Sequence, residues 1–385
     1  MNRISSLLDN SDKIKAIDKG KMFEIQEKFP ENCEDAVRRA EKLVIPKKVM
    51  VSEKISIVYR RPEKIIVAGM GGSAIGGNIL KDWLRETTPI PIEVCRDYHL
   101  PAYADEKTLV LVSSYSGNTE ETISALLEAV EKRCMIIAVS SNGVVQEFSQ
   151  KMGLPFIKLP AGYPPRTAIP YLFFPLAVSL KKMEVLKEFD EDVKETFTIL
   201  GQIREEVKIE TPTSKNPAKR LAIDVEDSIP AIYGFGIYEG AALRIKSQFN
   251  ENAKSPGIVA SFPELNHNET VGWTEREDLT KKISVILIRD KDEPAEIKTR
   301  IEVTRRLVFD GKARKVVEIQ SRGKSKLAKI FSTIYIGDYA SIYLAILYNT
   351  DPTPVKIIDE LKAQLEKRVD KAKTLRRQFE AITAS

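Results

Sequence analysis

Two short runs carry residue types that move protons. Glu251 stands between amides in Asn250-Glu251-Asn252-Ala253-Lys254, and His267 sits in Glu264-Leu265-Asn266-His267-Asn268-Glu269, in a chain with only 2 histidines. A carboxylate base with a nearby histidine suits acid–base work at carbon and oxygen. A lone histidine is more often structural, so the pairing carries this reading. Two other runs suit an anion. Gly69-Met70-Gly71-Gly72-Ser73-Ala74-Ile75-Gly76-Gly77 follows an apolar run, and Ser113-Ser114-Tyr115-Ser116-Gly117-Asn118-Thr119-Glu120-Glu121-Thr122 follows another. Glycines at a strand-to-helix turn let backbone approach a ligand, and the helix start offers unpaired N–H groups. A tight packing turn, or a dinucleotide site through Gly69, Gly71 and Ala74, also fits the first run. One hydroxyl would cap a helix, but four (114, 116, 119 and 122) around a glycine suit a monoester phosphate with three acceptor oxygens. Neither run contains Gly-Lys-Ser/Thr, so the usual nucleotide P-loop is excluded there.

The elements that position these residues alternate strand and helix. Buried-strand runs are expected at 64–68, 92–95, 109–112, 135–139 and 156–158, with helices at 75–85 and 119–132 between them. That rhythm predicts a parallel sheet with helices on both faces. The pattern restarts at 229–236, with a helix from 239 to 250, strands at 284–289 and 315–319, and a helical stretch at 302–309. The fold class is therefore α/β: two doubly wound parallel sheets, a helical N-terminal extension and a long C-terminal helix. The expected division is a 1–60 extension packing on the first half, domains at 61–185 and 218–350, a connector at 186–217, and a helix over 351–385. Apolar residues at Val355, Ile358, Leu361, Leu365, Val369 and Leu375 mark that last helix, and its Lys/Arg excess reads as a solvated face.

Composition narrows the classes. The chain has 385 residues, 43% hydrophobic and 30% charged, with a formal net charge of +5. These values exclude wholesale disorder and give no sign of a nucleic-acid binder. Three cysteines without C-x-x-C spacing argue against a disulfide framework, and 2 histidines exclude a multi-histidine metal site. The longest apolar stretch is taken as 168–180, too short for a bilayer span of about 20 residues. The N-terminal run lacks a secretory pattern, so a cytoplasmic protein with no membrane partner is expected.

The glycine and hydroxyl runs resemble those of the sugar isomerase domain, and the whole set resembles the archaeal-type bifunctional phosphoglucose/phosphomannose isomerases. Pro164-Pro165-Arg166 and Asp351-Pro352-Thr353-Pro354-Val355 with Leu361-Lys362 complete the match, which runs from about 64 to 365. The resemblance implies a phosphosugar substrate, no cofactor and no metal. It implies Glu251 as the base that moves a proton between C2 and C1 through a cis-enediol, and His267 as a ring-opening group supplied by the partner of a homodimer. It implies Arg166 on the enediolate and Lys362, or Lys356 in a shifted register, as the second ring-opening group. Gly72, Ser73, Ser114, Ser116, Thr119 and Thr122 would hold the 6-phosphate, and Thr353 would stand where single-specificity enzymes carry glutamine. Thr353 also reads simply as the cap of the following helix. A non-catalytic phosphosugar sensor and another isomerase on the same fold are the rival readings.

Overall fold

The computed structural model describes residues 7–186, 189–368 and 371–384. The chain divides into two compact units, one of Met1–Pro30 with Asp190–Pro354 and one of Glu31–Phe189 with Val355–Ser385. The α/β architecture with parallel sheets and helical terminal segments is as expected. The division is not. The N-terminal segment splits at residue 30, its first part belonging with the second half of the chain, and 190–217 is an integral part of that same unit.

The unit built around residues 31–189 begins with an antiparallel pair, β1 (Lys48–Met50) and β2 (Ser56–Val58). Its main sheet has β3 (Lys64–Ala68), β4 (Ile92–Cys95), β5 (Thr108–Ser113), β6 (Met135–Ser140) and β7 (Phe156–Lys158), all parallel, in the order β4-β3-β5-β6-β7. β5 and β6 are buried at every residue, as continuous Val/Ile/Leu runs covered on both faces must be. The apolar stretch at 168–180 becomes the buried helix Ile169–Lys182. The C-terminal segment forms helices Lys356–Glu366 and Lys371–Ala384; Val369 lies outside the described residues. Only the second helix buries its apolar face: Leu375, Phe379 and Ile382 pack on this unit, with Phe379 stacked on Phe148 at 3.9 Å between ring centroids. In the first, Leu361 is 58% and Leu365 57% exposed, so the apolar residues that mark the expected long helix do not share one buried face.

The other unit is centred on helix Lys326–Leu347, which packs on helices Asp190–Val207, Pro217–Val225 and Glu239–Asn252. This helix has the length and apolarity of a bilayer span, longer than the 168–180 stretch, and 94% of its apolar window is buried inside the fold. Its sheet has β8 (Ile229–Phe235), β9 (Ile258–Phe262), β10 (Ile283–Arg289) and β11 (Lys315–Gln320), parallel in the order β11-β10-β8-β9. The N-terminal helices Ser11–Ile17 and Met22–Glu27 belong here because Phe23 meets Tyr343 at 4.9 Å and Gln26 donates to Asp338 at 3.2 Å. The Pro- and Ser-bearing run at 211–217 is no loose linker. Thr213 donates through its N and Oγ1 to Asp9, each at 2.8 Å, and buried Asn216 caps the next helix.

Candidate active site

Strand β3 lies between β4 and β5, so the chain reverses its direction of sheet growth there. In an open parallel sheet the loops after such neighbouring strands leave a crevice at their carboxyl ends. Both anion-suited runs fall at that place: residues 69–73 follow β3 and 114–119 follow β5, with Ala68 in register with Val112. The two turns touch. A β-carbon built on Gly69 would stand 2.8 Å from the Ser113 carbonyl oxygen and 2.9 Å from Ser73 Cβ.

Within the second turn Ser114 Oγ and Thr119 Oγ1 are 3.0 Å apart, and Ser114 Oγ accepts the Gly117 N–H at 3.1 Å. Ser116 is exposed and its Oγ accepts the Asn118 N–H at 3.3 Å. Gly117 adopts φ +69°, and a side chain there would overlap the Asn142 carbonyl, so glycine is required twice over. Thr119 directly precedes helix Glu120–Glu131 without capping it by its side chain, which weakens the capping account of that hydroxyl. Thr122 is 1% exposed and its Oγ1 has no hydrogen-bond partner in the protein, as does Ser113 Oγ. A buried hydroxyl left unpaired costs on the order of 1–3 kcal/mol, so such groups gather where something other than packing is served.

The turn that carries Arg166 comes to the same place. It sits in the short turn Pro165–Thr167 and is 4% exposed. A β-carbon on Gly72 would stand 3.1 Å from the Pro165 carbonyl, so the glycine turn and the arginine turn are in close approach. Tyr115, from the middle of the hydroxyl run, joins them. Its hydroxyl donates to the Pro160 carbonyl at 2.9 Å and accepts the Tyr163 N–H at 2.9 Å. Burial raises the Tyr115 phenol above its ordinary range, so it keeps its proton and remains a donor. From behind, Tyr163 Oη donates to Asn32 Oδ1 at 3.1 Å. Tyr115 was not singled out from the sequence, although it lies inside the motif.

The second unit holds Glu251, Thr353 and His267. Glu251 is in the last turn of helix Glu239–Asn252. Arg244 and Asn252 fix that helix to Lys326–Leu347, the first pairing with buried Asp338 at 2.6 Å, the second donating to Ser341 Oγ at 2.9 Å. Lys254, in a left-handed conformation at φ +56°, donates to the carbonyls of Glu251 at 2.6 Å and Pro352 at 2.9 Å. Thr353 is thus tied to the end of the Glu251 helix through one ammonium group. His267 ends a short turn, Glu264–His267, just after β9 and is exposed. Asn266 donates to Thr304 Oγ1 at 2.7 Å and holds that turn from below. Lys356 and Lys362 both lie on the exposed helix Lys356–Glu366, in the unit that holds the hydroxyl turns, and nothing in their surroundings separates the two.

The glycine-bearing turn after β8 does not repeat the hydroxyl cradle. There Tyr238 Oη donates to Asp290 Oδ2 at 2.6 Å and meets Ser321 Oγ at 2.9 Å, while Lys329 pairs with Asp290 at 3.0 Å. A buried carboxylate at the corresponding place disfavours a phosphate, so the two sheets are not equivalent as anion sites. Among the described residues no three His, Cys, Asp or Glu side chains are placed to hold a metal ion.

Residues 58–146 match the SIS domain, and residues 214–365 match the bacterial phospho-glucose isomerase C-terminal SIS domain. A protein of Thermus thermophilus solved as a hypothetical protein has the same fold: TM-score 0.70 at 14% identity, covering 95% of each chain. The chain is 42% identical over 345 residues to the bifunctional phosphoglucose/phosphomannose isomerase of Caldicellulosiruptor bescii, covering 89% of this chain and 98% of that one. It is 36% identical over 305 residues to the enzyme of the same name from Thermoplasma volcanium, covering 79% and 91%. The chain is an enzyme with two sugar isomerase domains. It belongs to the bifunctional phosphoglucose/phosphomannose isomerase family.

Proposed function

We propose that the enzyme interconverts glucose 6-phosphate and mannose 6-phosphate with fructose 6-phosphate, without a metal ion. The observation that carries this reading is the meeting of two glycine-and-hydroxyl turns with the Arg166 turn at the direction change of one sheet. Backbone N–H groups, Ser73, Ser114, Ser116 and Thr119 suit a 6-phosphate. Thr122, buried behind the same turn with its Oγ1 unpaired, is the further hydroxyl of this set.

In this reading His267 and Lys362 open the sugar ring, protonating the ring oxygen and taking the proton from O1. Glu251 then removes the C2 proton and returns it to C1, giving the ketose through a cis-enediol. Arg166 stabilises the negative oxygen that develops along this path, where a pre-placed cation acts most strongly. Glucose and mannose 6-phosphates differ only at C2, so one enediol serves both if it can turn about C2–C3. A small threonine at 353 leaves room for that turn. The exposure of His267 supports its service to a partner chain in a homodimer.

The deciding experiment supplies fructose 6-phosphate to the purified protein in EDTA and measures both aldose 6-phosphates. Both products are expected, and Glu251→Gln is expected to abolish both while leaving phosphosugar binding nearly intact. Absence of both products, or activity that EDTA removes, refutes the reading. A Glu251→Gln variant with a tenth of the parent rate removes Glu251 from the base role.

A further inference from the structure

The resemblance to known isomerases leaves the N-terminal segment without a role, and the structure brings one residue of it against Thr353. A β-carbon built on Gly20 would overlap Oγ1 and Cβ of Thr353 and stand 2.7 Å from its Cγ2. The φ of Gly20 lies outside the left-handed region, so alanine could take its backbone conformation. Space for Thr353, not conformation, is what glycine supplies here.

Neither side of this contact yields easily. The turn holding Gly20 is fixed by buried Asp18, whose carboxylate accepts the N–H groups of Met22 at 2.8 Å and Phe23 at 2.9 Å. Phe23 in turn is wedged at 4.9 Å from Tyr343 of the central helix. On the other side the Thr353 N–H donates to Asp351 Oδ1 at 3.0 Å, and Lys254 binds Pro352 and Glu251 together. A methyl group at position 20 therefore moves the Thr353 side chain relative to Glu251.

We propose that Gly20 is a specificity-determining residue, seating Thr353 so that both epimers are accepted. The inference rests on the role given to Thr353 above. A displaced threonine narrows the room for turning about C2–C3, and a single methyl in a substrate pocket discriminates by about tenfold or more.

The test compares the ratio of mannose to glucose 6-phosphate formed from fructose 6-phosphate by the parent, Gly20→Ala, Thr353→Gln, Thr353→Gly and the double variant Gly20→Ala/Thr353→Gly. Thr353→Gln and Gly20→Ala are each expected to lower the ratio, the latter about tenfold. In the double variant the added methyl has room, so its ratio should equal that of Thr353→Gly alone. A folded Gly20→Ala with the parent ratio overturns the role of Gly20 while leaving that of Thr353. If Thr353→Gln also keeps the parent ratio, both fall. Should Gly20→Ala not fold, the double variant decides: a ratio unlike Thr353→Gly, or failure to fold as well, overturns the proposal.

Discussion

Replacing Tyr115 by phenylalanine removes one oxygen and tests whether the hydroxyl run positions Arg166. That oxygen makes two hydrogen bonds, to the Pro160 carbonyl and from the Tyr163 N–H, each 2.9 Å. The ring stays in place, because Tyr115 is buried and its carbonyl still accepts from Ser141 Oγ at 2.7 Å. Pro160 and Tyr163 flank exposed residues 161 and 162, so water can take over the freed groups. The stability loss is then two net hydrogen bonds, about 1–3 kcal/mol in total. For units of this size that is a fall in Tm on the order of 3–10 °C. The activity loss arises separately. Arg166 follows Tyr163 by three residues, and a slackened turn loses placement at the developing charge; about 1.4 kcal/mol of that lost stabilisation is tenfold in kcat. The phosphate hydroxyls are untouched, so KM should change less than twofold. Steady-state kinetics and thermal unfolding measure all three quantities. In an Arg166→Ala background Tyr115→Phe should lower kcat no further. A kcat within twofold of the parent, or full additivity with Arg166→Ala, refutes the positioning role.

Three other outcomes are expected. Ser116→Ala with Thr119→Ala raises KM for the 6-phosphate sugars more than it lowers kcat, because phosphate contacts are made alike in ground and transition states; an unchanged KM moves the phosphate elsewhere. Mixing Glu251→Gln with His267→Ala restores activity in hybrid dimers, since one site then carries both lesions and the other neither; exchange of subunits without recovery places His267 in its own chain's site. The carboxylate of Glu195 accepts the N–H groups of Lys324 at 2.7 Å and Ser325 at 2.8 Å, just before the central helix. Burial raises its pKa, but the hydrogen bonds from Ser325 and Lys324 outweigh this and hold it below the ordinary 4.5. A depressed folded pKa means stability present above the ordinary value and lost as pH falls through the depressed one. Losing one charge-assisted hydrogen bond, Glu195→Gln should lower stability by about 1 kcal/mol near neutral pH, with the deficit shrinking as pH falls below the ordinary 4.5; a deficit constant with pH in urea unfolding refutes this.

The parts legible in the sequence were those whose pattern is local. Buried strands such as Lys64–Ala68 ending in glycine, and the hydroxyl run ahead of a helix, declare themselves within ten residues. Strand β9 escaped notice because it is a half-buried edge strand with a weak alternation. The central helix escaped because it is apolar all round, mixing aromatic and β-branched residues, and so shows no period to read. Allegiance between segments was hidden for a different reason. Phe23 packs on Tyr343, and Tyr115 reaches partners 45 and 48 residues further on. Contacts at such separations are set by topology, and a single sequence carries no local mark of them. The same holds for Gly20 and Thr353, whose relation is purely spatial.

The division of the chain has a consequence for its synthesis. Residues 1–30 leave the ribosome well before the remainder of their unit, which begins at Asp190, and the central helix that Phe23 and Gln26 meet starts only at Lys326. The unit around residues 31–189, although contiguous for most of its length, gains Leu375, Phe379 and Ile382 only after the whole of the other unit has been made. Domains that fold as they emerge ordinarily do so in order from the N-terminus, but here the apolar face of the first helices must wait through more than one hundred and fifty residues of other chain. The nascent protein thus carries an unpaired amphipathic segment during most of its elongation. Dividing the gene in two would not relieve this, because the segments of the two units alternate along the chain and any single cut separates at least one unit from its distant part.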